Sequence, residues 1–584
     1  MNAPDTVPFL PDNAPFTAEQ RAYLNGFLAG LFSRQPPPVP EAKRLTPLCI
    51  LFGSQTGTAE NLAKRAADEA RKRGFAPIIH DLAAFTPAQL ASERNLLVVT
   101  STYGDGEPPD NAKVFWEKLS NGAPPLSDLR FAVLALGDSN YPQFCAFGKN
   151  IDQRLETLGG QRVHPRGDCD VDYEQPFAAW IGPALTALLN GSAGVPPALS
   201  GVSPDKPSPS SAAPTFNRKN PFPAPLIANR KLNGPGSAKD TRHIELALME
   251  SGLAYEAGDA LGVRPCNCTE LVRDLLQTLG FSGEETVSDG DGQHATIRDT
   301  LVHEFEITRV QPALVKAVAE KIAAPALQTL SGPDLARFLH GRDVIDLFRE
   351  FPQAKFSPSE FISLLKRLAP RLYSIASSPK AHPDAVHLCV GIVRYKSEGR
   401  PRKGVCSTFL ADRVTLNSTV PIFMHHNKNF RPPRDPAAPM IMVGPGTGIA
   451  PFRAFLQERR ALAASGKNWL FFGDQHAQTD FLYRDEIEAM LRDGLLTHLD
   501  AAFSRDQAGK VYVQHRMLER AREVFDWLES GAHFYVCGDA FRMAKDVGRT
   551  LHEVIETGGG RTPEQAAEYV RRLAAAKRYQ RDVY

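Results

Sequence analysis

The 584-residue sequence contains no uninterrupted apolar run of about 18 residues, the minimum typical of a membrane-spanning helix. Its first fourteen residues include Asp5 and Asp12 but no Lys or Arg, so they lack the basic start of a secretory signal peptide. Eight cysteines are scattered without a CxxC pair, and no histidines follow Cys266 and Cys268 at zinc-ligand spacing. The sequence therefore predicts a cytoplasmic protein with free thiols, no metal site and no membrane association.

A strong overall charge is also absent, because the net charge of +1 argues against nucleic acid or an anionic membrane as a partner. The charges are nevertheless unevenly distributed. Residues 45–190 contain 13 Lys and Arg against 17 Asp and Glu, and the compensating basic excess lies after residue 190. This asymmetry favours an acidic module that docks electrostatically on changing partners, although a chance distribution of surface charge would give the same counts.

The length predicts about three to five structural units, the first of them a short helical extension over residues 1–44. Thr17 and Gln20 form a capping box, and adjacent apolar pairs then recur every four residues until the proline run at 36–38. We expect the apolar stripe of this helix to pack on the next domain. The alternative is that it docks on another subunit, which would give a homo-oligomer through the N-terminal region.

Residues 45–190 show the pattern of a doubly wound parallel sheet. The continuous apolar runs 47–52, 95–100 and 131–136 are typical of strands that are covered on both faces. Loops rich in Gly, Ser, Thr and aromatic residues follow each run, and loops in these positions meet at the carboxyl edge of such a sheet. The pattern therefore predicts a ligand site at this edge.

Three further segments follow. Residues 191–221 are rich in Pro, Ser, Ala and Gly without an apolar periodicity, which predicts a flexible linker. Residues 222–436 contain short alternating strands typical of an antiparallel barrel, interrupted by a helical insert over about 268–356. Residues 437–584 return to alternating strands and helices, which indicates a second α/β domain.

The first glycine-rich loop, GSQTGTAE at 53–60, can surround a phosphate with backbone N–H groups and with the hydroxyls of Ser54, Thr56 and Thr58. It contains no Lys followed by Ser or Thr, which excludes a P-loop nucleotide triphosphatase. On the neighbouring strand ends, Tyr103 and Tyr141 are placed to stack on a flat ring system.

Two later motifs indicate dinucleotides. In RLYSIASSP at 371–379, the Arg371 guanidinium can pair with a diphosphate. GPGTGIAPF at 444–452 lies between a strand and a helix, the usual context of a dinucleotide loop, although its spacing departs from GxGxxG. Arg505 and Lys510 then favour NADPH, because an NAD site would prefer an acidic residue at the ribose.

Together these motifs resemble the diflavin reductase family, which includes cytochrome P450 reductase and the flavoprotein subunit of NADPH-dependent sulfite reductase. The resemblance covers residues 45–584. RLYSIASS, GPGTGIAPFRAF, KNWLFFGD, GAHFYVCGDA and the ending RYQRDVY are most similar to the sulfite reductase branch. Tyr103 departs from that branch, which has a non-aromatic residue there, and resembles the P450 reductase type.

The resemblance implies three cofactor sites, transferred residue by residue. The expected FMN contacts are Ser54, Gln55, Thr56, Gly57, Thr58, Ala59, Ser101, Thr102, Tyr103, Gly104, Leu136, Gly137, Asp138, Ser139, Asn140, Tyr141, Pro142, Gln143, Phe144 and Cys145. The expected FAD contacts are Arg371, Leu372, Tyr373, Ser374, Cys389, Val390, Gly391, Tyr395, Gly404, Val405, Cys406, Ser407 and Tyr584. The expected NADP contacts are Thr447, Ser504, Arg505, Lys510, Val511, Tyr512, Val513, Gln514 and Asp546.

The family resemblance also implies catalytic roles for Ser374, Cys537 and Asp582 around the flavin and the nicotinamide. A purely structural interpretation of Cys537, as a buried strand residue, remains open. Tyr584 resembles the terminal aromatic residue that stacks on FAD and must move before the nicotinamide can reach it.

The implied function is electron transfer from NADPH through FAD and FMN to a haemoprotein. The favoured acceptor is the sirohaem and iron–sulfur subunit of sulfite reductase, which makes sulfide for cysteine biosynthesis. The alternatives are a soluble reductase for a P450 or a nitrate reductase, and a scaffold that keeps both folds without flavin.

Overall fold

The computed structural model describes residues 9–32, 45–104, 106–138, 143–171, 173–189, 216–288 and 294–584. The predicted linker therefore lies outside the described residues, apart from 216–221. Within the described ranges, no helix has both the length and the apolar character required to cross a membrane. The eight cysteines are all described, and all are free thiols.

The predicted N-terminal helix is confirmed as α1, Ala18–Phe32. Its capping box is present, since Thr17 N donates to Gln20 Oε1 at 3.0 Å and Gln20 N to Thr17 Oγ1 at 3.3 Å. Tyr23 and Phe27 are 76% and 57% exposed. The expectation that the apolar stripe packs on the next domain is therefore wrong for these two side chains.

The next unit is a parallel sheet with helices on both faces, as predicted. Its strand order is β2-β1-β3-β4-β5, and β6 also pairs with β4. Helices α2 and α5 contribute to the core on one face, and α3 and α4 to the core on the other. The elements are β1 Thr46–Gly53, α2 Thr58–Lys72, β2 Phe75–Asp81, β3 Asn95–Ser101, α3 Lys113–Gly122, β4 Arg130–Leu136, α4 Ala146–Thr157, β5 Gln161–Arg162, β6 Gly167–Cys169 and α5 Glu174–Leu189.

A six-stranded antiparallel sheet follows, in the order β12-β9-β16-β7-β8-β13. An isolated antiparallel bridge between Ile375, directly after β12, and Leu388 of β13 brings the two edges of this curled sheet together, while a closed barrel stays a prediction. A two-stranded hairpin, β14–β15, stands outside this sheet. The elements are β7 Phe222–Lys231, β8 Thr241–Ala247, β9 Ala260–Val263, β12 Arg371–Ser374, β13 Ala385–Gly391, β14 Arg394–Ser397, β15 Arg400–Lys403, α13 Val405–Thr408, a π-helical turn Phe409–Arg413 and β16 Thr419–His425.

The predicted helical insert lies between β9 and β12 and has its own apolar core. Its elements are α6 Thr269–Leu279, β10 Thr286–Ser288, β11 His294–Thr296, α7 Ile297–His303, α8 Pro312–Lys321, α9 Pro325–Gln328, α10 Gly332–Leu339, α11 Val344–Glu350 and α12 Pro358–Ser363.

The last unit is a five-stranded parallel sheet in the order β19-β18-β17-β20-β21, with an apolar core on each face. The final strand places the end of the chain beside the strand that carries Cys537. The elements are β17 Met440–Val443, α14 Ala450–Ala461, β18 Asn468–Asp474, α15 Ala477–Asp480, α16 Arg484–Arg492, β19 His498–Phe503, α17 Val513–Glu519, α18 Ala521–Glu529, β20 His533–Gly538, α19 Met543–Gly559, α20 Pro563–Ala575 and β21 Tyr579–Val583.

Candidate functional site

The three loops predicted to bind FMN meet at the carboxyl edge of the first sheet. They follow β1, β3 and β4, which are neighbours in the strand order. The second and third loops are connected where Thr102 N donates to Leu136 O at 2.8 Å. The structure therefore brings residues 54–59, 101–104, 136–138 and 143–145 to one edge, while the predicted contacts Ser139, Asn140, Tyr141 and Pro142 lie outside the described residues.

The loop after β1 has the form of an anion cradle. Ser54 Oγ accepts hydrogen bonds from Gly57 N and Ala59 N at 2.9 and 3.2 Å, which fixes the turn. Gly57 has φ of +96°, a left-handed conformation that favours glycine, directly before helix α2. The residues between β1 and α2 carry no carboxylate, and Glu60 in the first turn of α2 is paired with Lys64, so this loop at a helix N-terminus fits a phosphate group.

Cys145, predicted as an FMN contact, has a fully buried side chain. Its thiol donates to Ala135 O at 3.5 Å, and burial raises its pKa to about 12. Only the backbone of this residue is therefore available to a flavin.

Tyr103 connects the first sheet to the end of the chain. Its hydroxyl accepts a hydrogen bond from Val583 N at 3.0 Å and donates to Arg581 O at 3.2 Å. Arg581 also forms an ion pair with Asp110, and its guanidinium lies 5.4 Å from the centre of the Tyr103 ring. The predicted FMN site thus faces strand β21, while ring stacking by Tyr103 stays a prediction.

A cavity of about 1000 Å³ lies between the curled sheet, the hairpin and the insert. This volume is at the upper end of the usual range for small-molecule sites and is suited to a dinucleotide such as FAD. The predicted FAD residues that line it are Arg371, Leu372, Tyr373, Gly391, Tyr395, Gly404, Val405, Cys406 and Ser407.

Four predicted FAD residues do not line this cavity. Cys389 and Val390 have buried side chains that belong to the apolar cores. Ser374 and Tyr584 lie instead at the last sheet, where Tyr584 Oη is 3.1 Å from Thr447 Oγ1. The structure therefore divides the predicted FAD set between the cavity and a second cluster near the end of the chain.

Sequence reasoning missed the part of the cavity wall that the insert supplies. Thr308, Arg309 and residues 339–343 line the cavity, and so does Arg413. None of these residues stands in a glycine-rich turn at a strand end, so no local motif marks them. Arg371 also has an unforeseen partner, because its Nη2 donates to Glu306 Oε2 of the insert at 3.3 Å.

The three predicted catalytic residues are brought together. Cys537 and Asp582 are register partners on β20 and β21, with Sγ and Oδ2 separated by 3.9 Å. Ser374, at the end of β12, donates its hydroxyl to the same Asp582 oxygen at 2.7 Å. A hydroxyl, a thiol and a carboxylate from two domains thus meet at one point.

Burial dominates the electrostatics of this cluster. It raises the pKa of Asp582, and the hydrogen bond from Ser374 acts in the opposite direction. Burial also raises the pKa of the Cys537 thiol, an effect reinforced by the neighbouring Asp582. The thiol is therefore neutral at physiological pH, so it is not a thiolate nucleophile.

The glycine-rich loop after β17 packs tightly on the end of β20. A side chain at Gly448 would collide with Cys537 O at 2.1 Å, and Gly446 has φ of +58°. The loop carries Thr447, whose hydroxyl contacts Tyr584. Gly448 thus permits the loop to pack closely on β20, and the left-handed Gly446 permits the tight turn typical of a dinucleotide loop.

The residues predicted to select NADP lie at the end of β19 and the start of α17. Arg505 and Lys510 are exposed, and neither has an ion-pair partner within the described ranges, so both are available for a 2′-phosphate. Ser504 is held by Asp474 O, and Tyr512 is the N-cap of α17. Val511 and Gln514 are partly buried there.

Val513 and Asp546 are two predicted NADP residues whose side chains already have partners within the protein. Val513 has a buried side chain in the core, so only its backbone can contact a nucleotide. Asp546, on α19, pairs with Arg549 at 2.8 Å.

Three family models match successive parts of the chain. Flavodoxin matches residues 50–180, FAD binding domain matches residues 214–409, and Oxidoreductase NAD-binding domain matches residues 442–549. These matches agree with the three sheets and confirm the predicted fold class and the FMN, FAD and nicotinamide nucleotide cofactors.

Curated relatives extend over nearly the whole chain. The Sulfite reductase (NADPH) flavoprotein alpha-component of Bacillus subtilis is 46% identical over 592 residues, covering 97% of this chain and 96% of that protein. Its counterpart from Vibrio cholerae serotype O1 is 45% identical over 581 residues, covering 97% of this chain and 93% of that protein. A third, from Mannheimia succiniciproducens, is 44% identical over 539 residues, with 92% and 89% covered.

Proposed function

This chain belongs to the family of sulfite reductase (NADPH) flavoprotein alpha-components, and we propose that it passes electrons from NADPH through FAD and FMN to a sirohaem and iron–sulfur haemoprotein. The observation that carries the proposal is the C-terminal strand β21. It contacts the catalytic cluster through Asp582 and the FMN loops through Arg581 and Val583. One strand thus joins the site that accepts a hydride to the site that releases electrons.

Each proposed cofactor site rests on the groups that would hold it. The loop at residues 54–59 would hold the FMN phosphate, the cavity around Arg371 would hold FAD, and Arg505 with Lys510 would hold the 2′-phosphate of NADPH. When bound, FAD supplies a two-electron acceptor and FMN a one-electron carrier. The chain's own contribution is to orient these groups and to place charge beside them.

Ser374, Cys537 and Asp582 would act at the nicotinamide. The Asp582 carboxylate lies in a buried site, where a negative charge stabilises the positive charge of an oxidised nicotinamide more strongly than in water. Ser374 holds that carboxylate in place by its hydrogen bond. Tyr584, held by Thr447, would have to turn away before a nicotinamide could reach the flavin.

The structure supports a docked arrangement in which the first sheet loads electrons. Besides the contacts of Tyr103 and Asp110, Asn429 Nδ2 donates to Gln55 O at 2.7 Å, and Lys366 pairs with Asp170 at 2.9 Å. The last pair joins a basic side chain of the insert to the acidic module. We propose units at 45–190, 222–436 and 437–584, with 191–221 as the linker that lets the first unit leave.

The partner and the cellular setting are part of the same proposal. The relatives carry the words sulfite reductase and NADPH in their names, which favours a sulfite-reducing haemoprotein as acceptor. The free cysteines suit a reducing compartment, which favours the cytoplasm as location. The exposed Tyr23 and Phe27 of α1 favour an association of subunits through residues 1–44.

The proposal is tested by electron delivery to defined acceptors. The purified chain is mixed with NADPH, sulfite and a separately purified sirohaem and iron–sulfur haemoprotein, and sulfide is measured. A P450 and a nitrate reductase replace the haemoprotein in parallel reactions. We expect sulfide formation that requires both proteins, whereas efficient reduction of the P450 without any sulfide would contradict the sulfite reductase assignment.

A further inference from the structure

Four ionic side chains connect the helical insert to the β14–β15 hairpin. Arg400 Nη1 donates to Asp343 Oδ1 at 2.9 Å and to Asp346 Oδ1 at 2.8 Å. Arg402 forms ion pairs with the second oxygen of each carboxylate. The four side chains are between 4% and 18% exposed, so this charge-balanced group, here named the ion cluster, is shielded from water.

Both acidic members of the ion cluster are also fixed from the insert side. Asp343 and Asp346 form the capping box of α11, in which Asp343 N donates to Asp346 Oδ2 at 2.9 Å and Asp346 N to Asp343 Oδ1 at 3.0 Å. All four carboxylate oxygens therefore have partners. The start of α11 and the loop before it are held at a defined position against the hairpin.

The hairpin needs such an anchor, because it has only two strands and stands outside the main antiparallel sheet. Two-stranded hairpins are marginally stable on their own. Close packing accompanies the ion cluster at this contact. Gly341 has φ of +75°, and a side chain added there would lie 2.4 Å from Ser397 Oγ.

The elements that the ion cluster joins form one wall of the cavity. Residues 339–343 contribute from the insert, and Arg400 and Arg402 from the hairpin. Strand β15 continues directly into residues 404–407, which also line the cavity. The family resemblance implies that Tyr373 faces the flavin ring and that residues 404–407 form a second diphosphate loop beside Arg371, so this wall is left for the adenosine end of FAD.

We propose that Arg400, Arg402, Asp343 and Asp346 are positioning residues that hold the adenosine wall of the FAD cavity together and thereby set how tightly the chain retains FAD. The proposal rests on the FAD site proposed above. It predicts that FAD retention depends on side chains that bridge two protein elements, while FMN, which lacks the adenosine, is held elsewhere in the chain.

The test measures the release of each flavin from the holoprotein. Full-length protein is diluted, released flavins are separated by filtration, and FAD and FMN are quantified by chromatography over time. Arg400→Met should speed FAD release by about tenfold and leave FMN release unchanged. Arg400→Lys, which keeps the charge but loses the planar fork, should show a smaller acceleration.

Arg394→Met is the matched control. Arg394 lies on the same hairpin and pairs with Asp240 and Asp412 at 2.8 and 2.7 Å, but it is 39% exposed and does not line the cavity. Equal acceleration of FAD release in Arg394→Met would overturn the proposal, because the effect would then belong to general hairpin stability. If Arg400→Met released FAD at the same rate as the wild type, the proposal would be overturned as well.

Two further measurements separate the possible failures. If Arg400→Met does not fold, FAD release from Arg400→Lys decides the proposal, and a wild-type rate in that variant counts against it. Arg371→Ala tests the underlying site: if that variant retains FAD, the FAD site itself is misplaced. If Arg371→Ala loses FAD and both Arg400 variants keep it, only the role of the ion cluster fails.

Discussion

At the residue scale, the hydroxyl of Ser374 and the carboxylate of Asp582 are the polar groups proposed to act at the nicotinamide. Their 2.7 Å hydrogen bond is the contact that counteracts the effect of burial on Asp582. Cys537 contributes bulk and a weak donor, because its thiol stays protonated. The pH dependence of the reaction with NADPH should therefore follow the ionisation of Asp582.

Ser374→Ala should move the acid limb of the pH profile to higher pH. Removing the hydrogen bond raises the pKa of Asp582 further, and the ionised form that favours hydride transfer is lost as the pH falls through that pKa. We expect kcat/KM for NADPH at neutral pH to fall about tenfold or more. The measurement is the pH profile of NADPH-dependent ferricyanide reduction.

The exposed Ser363 on α12 provides the control for this substitution, since Ser363→Ala should leave the profile unchanged. An acid limb at the same pH in Ser374→Ala and wild type would contradict the role assigned to the hydrogen bond.

Arg505→Ala should weaken NADPH selectively over NADH. The substitution removes a charge-assisted contact to the 2′-phosphate, which typically contributes about 1.5–3 kcal/mol, or about tenfold to a hundredfold in affinity. The ratio of kcat/KM for NADPH to that for NADH measures the effect. Arg571→Ala on α20 is the control, because this exposed arginine has only a surface partner, Glu568. An unchanged ratio would refute the assignment of Arg505.

At the element scale, strand β21 is one of the contacts between the first unit and the remainder of the chain. Burial acts to raise the pKa of Asp110, but Arg581 and Lys113 outweigh it and hold that pKa well below its usual range. The Asp110–Arg581 pair is thus charged throughout the physiological pH range. It lies beside the hydrogen bonds that Tyr103 makes to the same strand.

Asp110→Asn should slow electron transfer between the two flavins without slowing hydride transfer. It leaves Arg581, which is 9% exposed, without its charged partner, so the docked arrangement loses stability. Stopped flow follows two rates separately: first the reduction of FAD by NADPH, and second the reduction of a haem acceptor through FMN. At high ionic strength, where salt already weakens docking, we expect a several-fold loss in the second rate only, and Asp128→Asn, at an exposed position of the same unit, should affect neither. Equal loss of both rates in Asp110→Asn would count against the docking role.

The regular elements could be predicted from the sequence, because their signals are local. The apolar run 95–100 is β3, and the capping box at Thr17 does start a helix. The contacts between elements could not be predicted. Arg371 meets Glu306 from the insert, and Asp110 meets Arg581 from the last strand. Such pairs form only when whole domains pack against each other. The packing of domains leaves no periodic or local signal in the sequence.

At the scale of the whole molecule, the acidic first unit is docked on the remainder of the chain through Arg581, Asn429 and Lys366. Electron delivery to a separate protein requires that the FMN edge become accessible, so this contact has to open and close. Attraction between the acidic and basic parts favours the closed form, and salt screens it.

Acceptor reduction should therefore pass through a maximum at intermediate ionic strength. At low salt the closed form predominates, and its FMN edge is inaccessible to the acceptor. At high salt the docking that loads electrons onto FMN is weakened. Hydride transfer to FAD should change only through the effect of salt on NADPH binding.

Removing about twenty residues from 191–215 should slow acceptor reduction without slowing FAD reduction. If the deletion left both rates intact, or if salt affected only the NADPH step, the opening and closing of the two halves would not govern turnover.

The central claim is that one chain holds two different flavins at two separate sites. The most direct test is the amount of each flavin released by acid from the purified wild type and Arg371→Ala, quantified by chromatography. The account predicts one FMN and one FAD per chain in the wild type, and loss of FAD alone in the variant. A single type of flavin in the wild type, or loss of both flavins in Arg371→Ala, would contradict it.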